Sequence, residues 1–145
     1  MPLAYVFDTS VMVAAFRSSR GASRQLLLGA LARRCELLLS VPLLLEYEAV
    51  LTRADQLSAF GIGRREVERV LDDVASIAKP VRLAYRWRPQ LPDSEDDMVL
   101  ETAVNGNADA VVTFNQKDFA ALSAGFDCRV VLPREALREL RGTTR

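Results

Sequence analysis

Four stretches of this chain carry acidic residues in surroundings that call for charge compensation. Asp8 interrupts the apolar run "LAYVFDTSVMV" (3–13). Such a run reads as a buried strand, and a lone carboxylate buried there costs several kcal/mol unless its charge is offset. Glu46 lies inside the helical stretch "SVPLLLEYEAVL" (40–51), directly after Leu43, Leu44 and Leu45. The segment "PDSEDD" (92–97) supplies Asp93, Glu95, Asp96 and Asp97. The cluster "TFNQKDF" (113–119) supplies Asn115, Lys117 and Asp118, beside the hydroxyl of Thr113. Lys117 is the one cation in these motifs. Crowded carboxylates raise one another's pKa unless a cation sits among them. Oxygen ligands without histidine or cysteine select Mg2+ or Mn2+. Such ions, held by carboxylates, activate water and clamp phosphate oxygens in an in-line displacement.

Each group has a structural explanation beside the chemical one. Asp8 can cap the helix that follows it. Ser94 with Asp97, or Asp93 with Asp96, fits a capping box at a helix start, where acids also suit the dipole. Asp118 can cap a short helix "FAAL", and a glutamate such as Glu46 is common on an exposed helix face. The chemical reading rests on the four groups acting together.

Other chemistry is excluded by composition. Histidine is absent, which removes Ser-His-Asp and Cys-His nucleophiles and any histidine general base. Zinc loses its usual nitrogen ligand as well. Cys35 and Cys128 do not form a metal-ligand spacing, and each stands beside an apolar run, as buried reduced thiols do. A disulfide between them is the alternative. The 19 basic and 19 acidic residues cancel, against a strongly basic nucleic-acid binder. Lys79 and Lys117 are the only lysines, so the basic residues are almost all arginines. A GC-rich genome produces that bias, and so does bidentate phosphate contact.

The elements that would position the acids can be read from periodicity. Strand-like runs cover Leu3–Phe7, Glu36–Leu39, Val81–Leu83, Ala110–Thr113 and Arg129–Leu132. Helical patterns lie between them: Ala22–Arg33, a helix capped by Ser40 with Pro42 in its first turn and running to about Arg53, "GIGRREVERVLDDVASIA" (61–78), "DSEDDMVLETAVN" ending near Gly106, and "PREALREL" from Pro133. Strands alternating with helices predict a parallel sheet covered on both faces. The 145 residues suit a single domain, 1–145. "RSSRGAS" (17–23), "SAFGIG" (58–63) and the C-terminal "RGTTR" are expected to be flexible, 142–145 most of all. No apolar run reaches the ~20 residues that span a bilayer, and the N-terminus lacks a basic leader, so a cytoplasmic location is expected. In open α/β sheets, sites form outside the carboxyl ends of the strands. The topology could bring Asp8, the 92–97 acids and the 113–119 cluster to that one edge.

With these blocks in place, the chain resembles the PIN-domain family, the nucleases that include VapC-type toxins of bacterial toxin–antitoxin systems. "VFDTSVMVAAF" resembles the family's opening strand and DT-N/S motif. "SVPLLLEYEAVL" resembles its S-x5-E helix. "DSEDDMVLETAVNGNADAVVTFNQKDF" resembles its third block, an acid before an alanine-containing helix, then a strand ending in threonine and a closing acid. The resemblance covers nearly the whole chain, in the family's order and spacing. It implies a three-layer α/β/α fold around a parallel sheet of about five strands. It implies metal-site roles for Asp8, Glu46, Asp96 and Asp118. Asp96 is chosen because it precedes Ala103 as the family acid precedes its helix alanine, with Asp93, Glu95 and Asp97 close enough to replace it. Asn115 stands where the family's fourth acid often stands, so Asp118 replaces the missing charge or the second metal is weak. Ser10 and Thr113 would be supporting hydroxyls.

The resemblance further implies Mg2+- or Mn2+-dependent cleavage of RNA, a small antitoxin partner that occludes the site, and a homodimer as a family-level expectation. Phosphate contacts are expected from Arg17, Arg20 and Arg24, or else from Arg86 and Arg88 around Trp87. Two other readings compete: an inactive or weak PIN scaffold that binds RNA or protein, and a phosphoacceptor domain of the response-regulator kind. The latter needs paired acids after the first strand and an aspartate ending the third.

Overall fold

Short apolar segments set the architecture. In the computed structural model, residues 2–83, 94–120, 125 and 127–142 are described, 94–96 by their backbone alone. Five strands, β1 (Ala4–Phe7), β2 (Glu36–Leu39), β3 (Lys79–Pro80), β4 (Ala110–Val112) and β5 (Arg129–Val131), form one parallel sheet in the order β3-β2-β1-β4-β5. Tyr5, Val6, Phe7, Leu37, Leu38, Val111 and Val112 are all buried. Continuous apolar runs of this kind belong to a parallel sheet covered on both faces.

The covering layers are α1 (Thr9–Arg17), α2 (Ala22–Leu31), α3 (Val41–Leu51), α4 (Ala54–Phe60), α5 (Arg64–Ile77), α6 (Ser94–Asn105) and α7 (Pro133–Gly142). A single 3-10 turn, Gln116–Phe119, follows β4. Helix α2 packs against α1 and α7, α3 against α5 and α6, and α6 lies across β1, β2 and β4. The result is the three-layer α/β/α arrangement expected from the sequence. Gly106 lets the end of α6 sit this close. A Cβ there would stand 2.9 Å from both Leu38 Cδ1 and Val81 Cγ2. No helix among the described residues is long and apolar enough to cross a membrane.

The chain builds outward from β1 through β2 to β3, then crosses back to add β4 and β5 on the other side of β1. The strand order therefore reverses between β1 and β4, and in open α/β sheets the crevice at that switch point is where ligands bind. The register makes the crevice specific. Phe7 pairs with Val112, so Asp8 and Thr113 leave the sheet side by side.

Several boundaries differ from the sequence reading. The third strand lies two residues upstream of Val81–Leu83, at Lys79–Pro80, and both residues are exposed. Pro80 has no N–H to donate, and it is tolerated because β3 is an edge strand. The ladder continues only through Val81 N–H to Leu39 O, at 2.9 Å. Helix α4 was not expected; it buries no residue completely, so it leaves no periodic apolar face to read. Its last residue, Phe60, packs on Phe16 with ring centroids 5.3 Å apart, and Gly61 ends it at φ 72°, a left-handed turn that suits glycine. At the C-terminus, Arg141 and Gly142 are helical rather than part of a loose tail. Both cysteines are buried free thiols, and burial pushes each up to about 11.

Candidate active site

Asp8 is the first residue past β1. Its backbone N–H donates to Val112 O at 2.9 Å, which extends the β1–β4 ladder by one step. It occupies the N-cap position of α1, yet its side chain makes no capping hydrogen bond. The capping explanation for this carboxylate therefore fails. Instead Oδ2 accepts from Ser10 Oγ at 2.7 Å and from Thr113 Oγ1 at 2.8 Å. The residue is 5% exposed. Among the described residues no cation pairs with it. A buried charge held only by neutral hydroxyls has its orientation fixed and most of its field uncompensated.

Thr113 is fully buried and has a fixed sense of donation. Its Oγ1 accepts from Asn115 N–H at 2.9 Å, which leaves its proton for Asp8. A further residue, missed by the sequence reading, completes this wall. Tyr47, on α3 next to Glu46, donates its hydroxyl to Phe7 O at 2.5 Å. Burial raises its pKa well above the ordinary value, and the negative charge of Asp8 raises it further. Tyr47 thus stays a neutral donor within the field of the Asp8 carboxylate.

Helix α3 starts at Ser40, directly beyond β2, as the sequence indicated. Ser40 Oγ accepts from Leu43 N–H at 3.4 Å and lies 2.7 Å from Thr102 Oγ1 of α6. Thr102 donates its own proton to Met98 O at 2.7 Å, so Ser40 is the donor in that pair. The hydroxyl bridge ties α3 to α6. Glu46 is half-buried, with its Oε2 enclosed. On α6, Asp97 and Glu101 are fully buried; one turn apart, they share a helix face. The sequence reading has Asp97 as a capping-box partner of Ser94 or a substitute for Asp96, and Glu101 is absent from it. No local signal separates Glu101 from an ordinary exposed helix glutamate; its burial comes from α6 lying over the sheet.

Not every expected ligand is brought together. Asp118 is half-buried in the 3-10 turn, which packs against α6. It lies inside that turn, and residues 121 and 122 of "FAAL", which it was expected to cap, are outside the described residues. Asn115 is exposed, and what it contributes is its backbone N–H to Thr113. Asp96 belongs to α6 by its backbone, and its side chain is outside the described part, as is Asp93 altogether. Among the described residues, no three acidic or cysteine side chains converge closely enough to hold an ion. The side chains held together at the switch point, Asp8, Ser10 and Thr113, are nevertheless all hard oxygen donors, and the further carboxylates Glu46, Asp97 and Glu101 stand on α3 and α6. That chemistry fits a hard divalent cation and no softer metal.

The arginines are partly spoken for. Arg24 Nε donates to Ala15 O at 2.5 Å, so it ties α2 to α1, and Arg17 reaches Gln56 of α4 at 3.1 Å. Of the three loop arginines, Arg20 is left exposed with no such bond among the described residues. Arg86, Trp87 and Arg88 lie outside the described residues. A response-regulator arrangement has no support: Asp8 is followed by Thr9, and β3 leads into Val81-Arg82-Leu83 without an aspartate.

Comparison with protein families matches residues 4–117, well over half of the chain, to the PIN domain. Comparison with curated proteins yields no match.

Proposed function

The chain belongs to the PIN-domain family, whose members are generally metal-dependent nucleases, and we propose that it is a Mg2+- or Mn2+-dependent endoribonuclease acting as the toxin of a toxin–antitoxin pair. The observation that carries the nuclease reading is Asp8. Its carboxylate is buried at the switch point, declines the helix cap beside it, and is aimed by two hydroxyls. The toxin reading, the small antitoxin protein and a homodimer rest on the likeness of the three motif blocks to VapC-type chains.

A divalent ion, when bound, supplies a Lewis acid for phosphate oxygens and a water of lowered pKa. Asp8 would be its anchor, and the family likeness assigns Glu46, Asp96 and Asp118 as the further carboxylates drawn to it, with Asn115 a neutral neighbour. Thr113 and Ser10 keep Asp8 in one rotamer, which orients a ligand at the cost of little reorganisation. Tyr47 donates to the strand end and keeps the Asp8 backbone in place. Ser40 and Thr102 fix the distance between the helices that bear Glu46 and Asp96. RNA would lie along the carboxyl edge of the sheet, its scissile phosphate over Asp8.

The alternative, a PIN scaffold that binds RNA without cutting it, is favoured by one observation. The position where the family often has its fourth acid is the exposed, neutral Asn115. Incubation of the purified chain with total RNA, with and without Mg2+ or Mn2+, separates the two. Metal-dependent fragments that vanish in Asp8→Asn support the nuclease. Metal-independent binding without cleavage supports the scaffold. The toxin role is tested by growth arrest on expression, relieved by Asp8→Asn.

A further inference from the structure

Beside the switch point lies a cavity of about 480 Å3, within the ~300–1,000 Å3 range of ligand sites. Its walls include Ala14 of α1, Gly21, Ser23 of α2, Phe114, and Pro133 and Arg134 of α7. Three features separate it from an ordinary surface dent. Phe114 is 50% exposed, although it directly follows Thr113, whose hydroxyl holds Asp8. Ser23 is 3% exposed, and its Oγ is buried with no hydrogen-bond partner among the described residues. Arg134 lines it and is exposed, and the exposed Arg20 directly precedes its lining residue Gly21 in the chain.

We propose that this cavity receives the base of a nucleotide adjacent to the scissile phosphate, stacked on Phe114 and read by the Ser23 hydroxyl. The inference rests on the nuclease reading above, since only then does RNA pass over Asp8. An exposed aromatic ring next to the reacting residue offers a π-face that any base can use. A hydroxyl both donates and accepts, so a buried Ser23 Oγ can bond either kind of group on a base edge. Left without a bond, it carries a desolvation cost that a ligand would relieve. Arg20 and Arg134 supply the positive charge that phosphates on either side of the base require. A protein helix would use the apolar wall, but it has no use for an enclosed hydroxyl in that wall.

The test uses the full chain in EDTA, where RNA binds without metal-dependent cleavage. Fluorescence anisotropy is measured with a labelled single-stranded RNA 12-mer of mixed sequence and with copies carrying one abasic nucleotide at each position in turn. Stacking of one base on an aromatic ring corresponds to about 5- to 150-fold in affinity. Phe114→Ala is expected to lose a factor in that range and Phe114→Trp to keep the affinity. One abasic position should cost the wild type about the same factor and cost Phe114→Ala nothing. Ser23→Ala should keep most of the affinity and level the preference among the four bases at that position. Phe114 is half exposed, so its truncation leaves the fold intact, as circular dichroism will report. Unchanged RNA affinity in Phe114→Ala, with no sensitive abasic position, would overturn the proposal and leave the cavity to a protein partner. Cleavage in Mg2+ by that same variant would show that the nuclease reading survives. A wild-type chain that neither binds nor cleaves RNA would overturn both.

Discussion

Replacing Asp8 by asparagine keeps the shape of the side chain and removes its charge. The asparagine carbonyl oxygen can still accept from Ser10 Oγ and Thr113 Oγ1, the two bonds that aim Oδ2. What is lost is charge assistance. Hydrogen bonds to charged groups contribute ~1.5–3 kcal/mol against about 1 kcal/mol for neutral ones, so the loss over two bonds is about 1–4 kcal/mol. What is relieved is a carboxylate at 5% exposure, whose uncompensated burial costs several kcal/mol. The second effect matches or exceeds the first, so the metal-free variant should be as stable as the wild type or slightly more so. Metal reverses the order. At a hundredfold excess over its dissociation constant a bound ion adds ~2.7 kcal/mol. At about 3–5 °C per kcal/mol for a chain of this length, that raises the wild-type melting temperature by about 8–13 °C. Asp8→Asn should show little of that rise. Differential scanning calorimetry of both proteins, in EDTA and in Mn2+, reads all four values. An Asp8→Asn protein that is unfolded in EDTA would make Asp8 a structural residue. A wild type that gains nothing from Mn2+ would refute the metal site.

Other consequences follow from the same geometry. Thr113→Val removes the donor to Asp8 and the acceptor for Asn115 N–H; it should cost about 2–3 kcal/mol in urea unfolding and weaken Mn2+ binding by ~10–100-fold, as loss of an outer-shell partner does. Gly106→Ala puts a Cβ 2.9 Å from Leu38 Cδ1 and Val81 Cγ2 and 3.0 Å from Thr102 O, so it should destabilise by about 1–3 kcal/mol without changing the metal-bound rate per folded molecule. Glu139 is held below the ordinary carboxylate range by hydrogen bonding to Arg129, with burial opposing and Tyr5 assisting. Its folded pKa is depressed, so its contribution is present above the unfolded value of ~4.3 and is lost as pH falls through the folded one. Glu139→Gln should therefore be less stable than wild type at pH 7, and the difference should close in acid below about pH 4.

How much of this was legible depended on whether a residue announces itself locally. Asp8 did, because an acid inside an apolar run is anomalous wherever the run folds. Ser40 and Pro42 did, because a cap and a first-turn proline are read within one helical turn. The edge strand β3 did not: two exposed residues, one of them proline, carry no strand signal. Helix α4 did not, since seven residues without a fully buried face leave no periodicity. Glu101 and Tyr47 were invisible for a different reason. Each lies at an ordinary helix position, and each is buried because of what its helix packs against.

The meeting of Asp8 with Thr113 is the clearest case of information that no single segment holds. Each residue follows an apolar strand, and the sequence separates them by 105 positions. Their contact depends on the register that pairs Phe7 with Val112. A slip of one residue would turn every buried side chain of β4 to the opposite face of the sheet. Parallel strands have no tight turn to pin them, so the register is set by the crossover that joins them. Here that crossover ends in α6, locked to the sheet at Gly106 against Leu38 and Val81 and to α3 by the Ser40–Thr102 hydroxyl pair. The same contacts that position the acids of α6 also deliver Thr113 to Asp8. Packing far from the carboxylates therefore sets how much of the chain carries the assembled site, and overpacking it at Gly106 should lower the folded fraction and leave the site of each folded molecule intact.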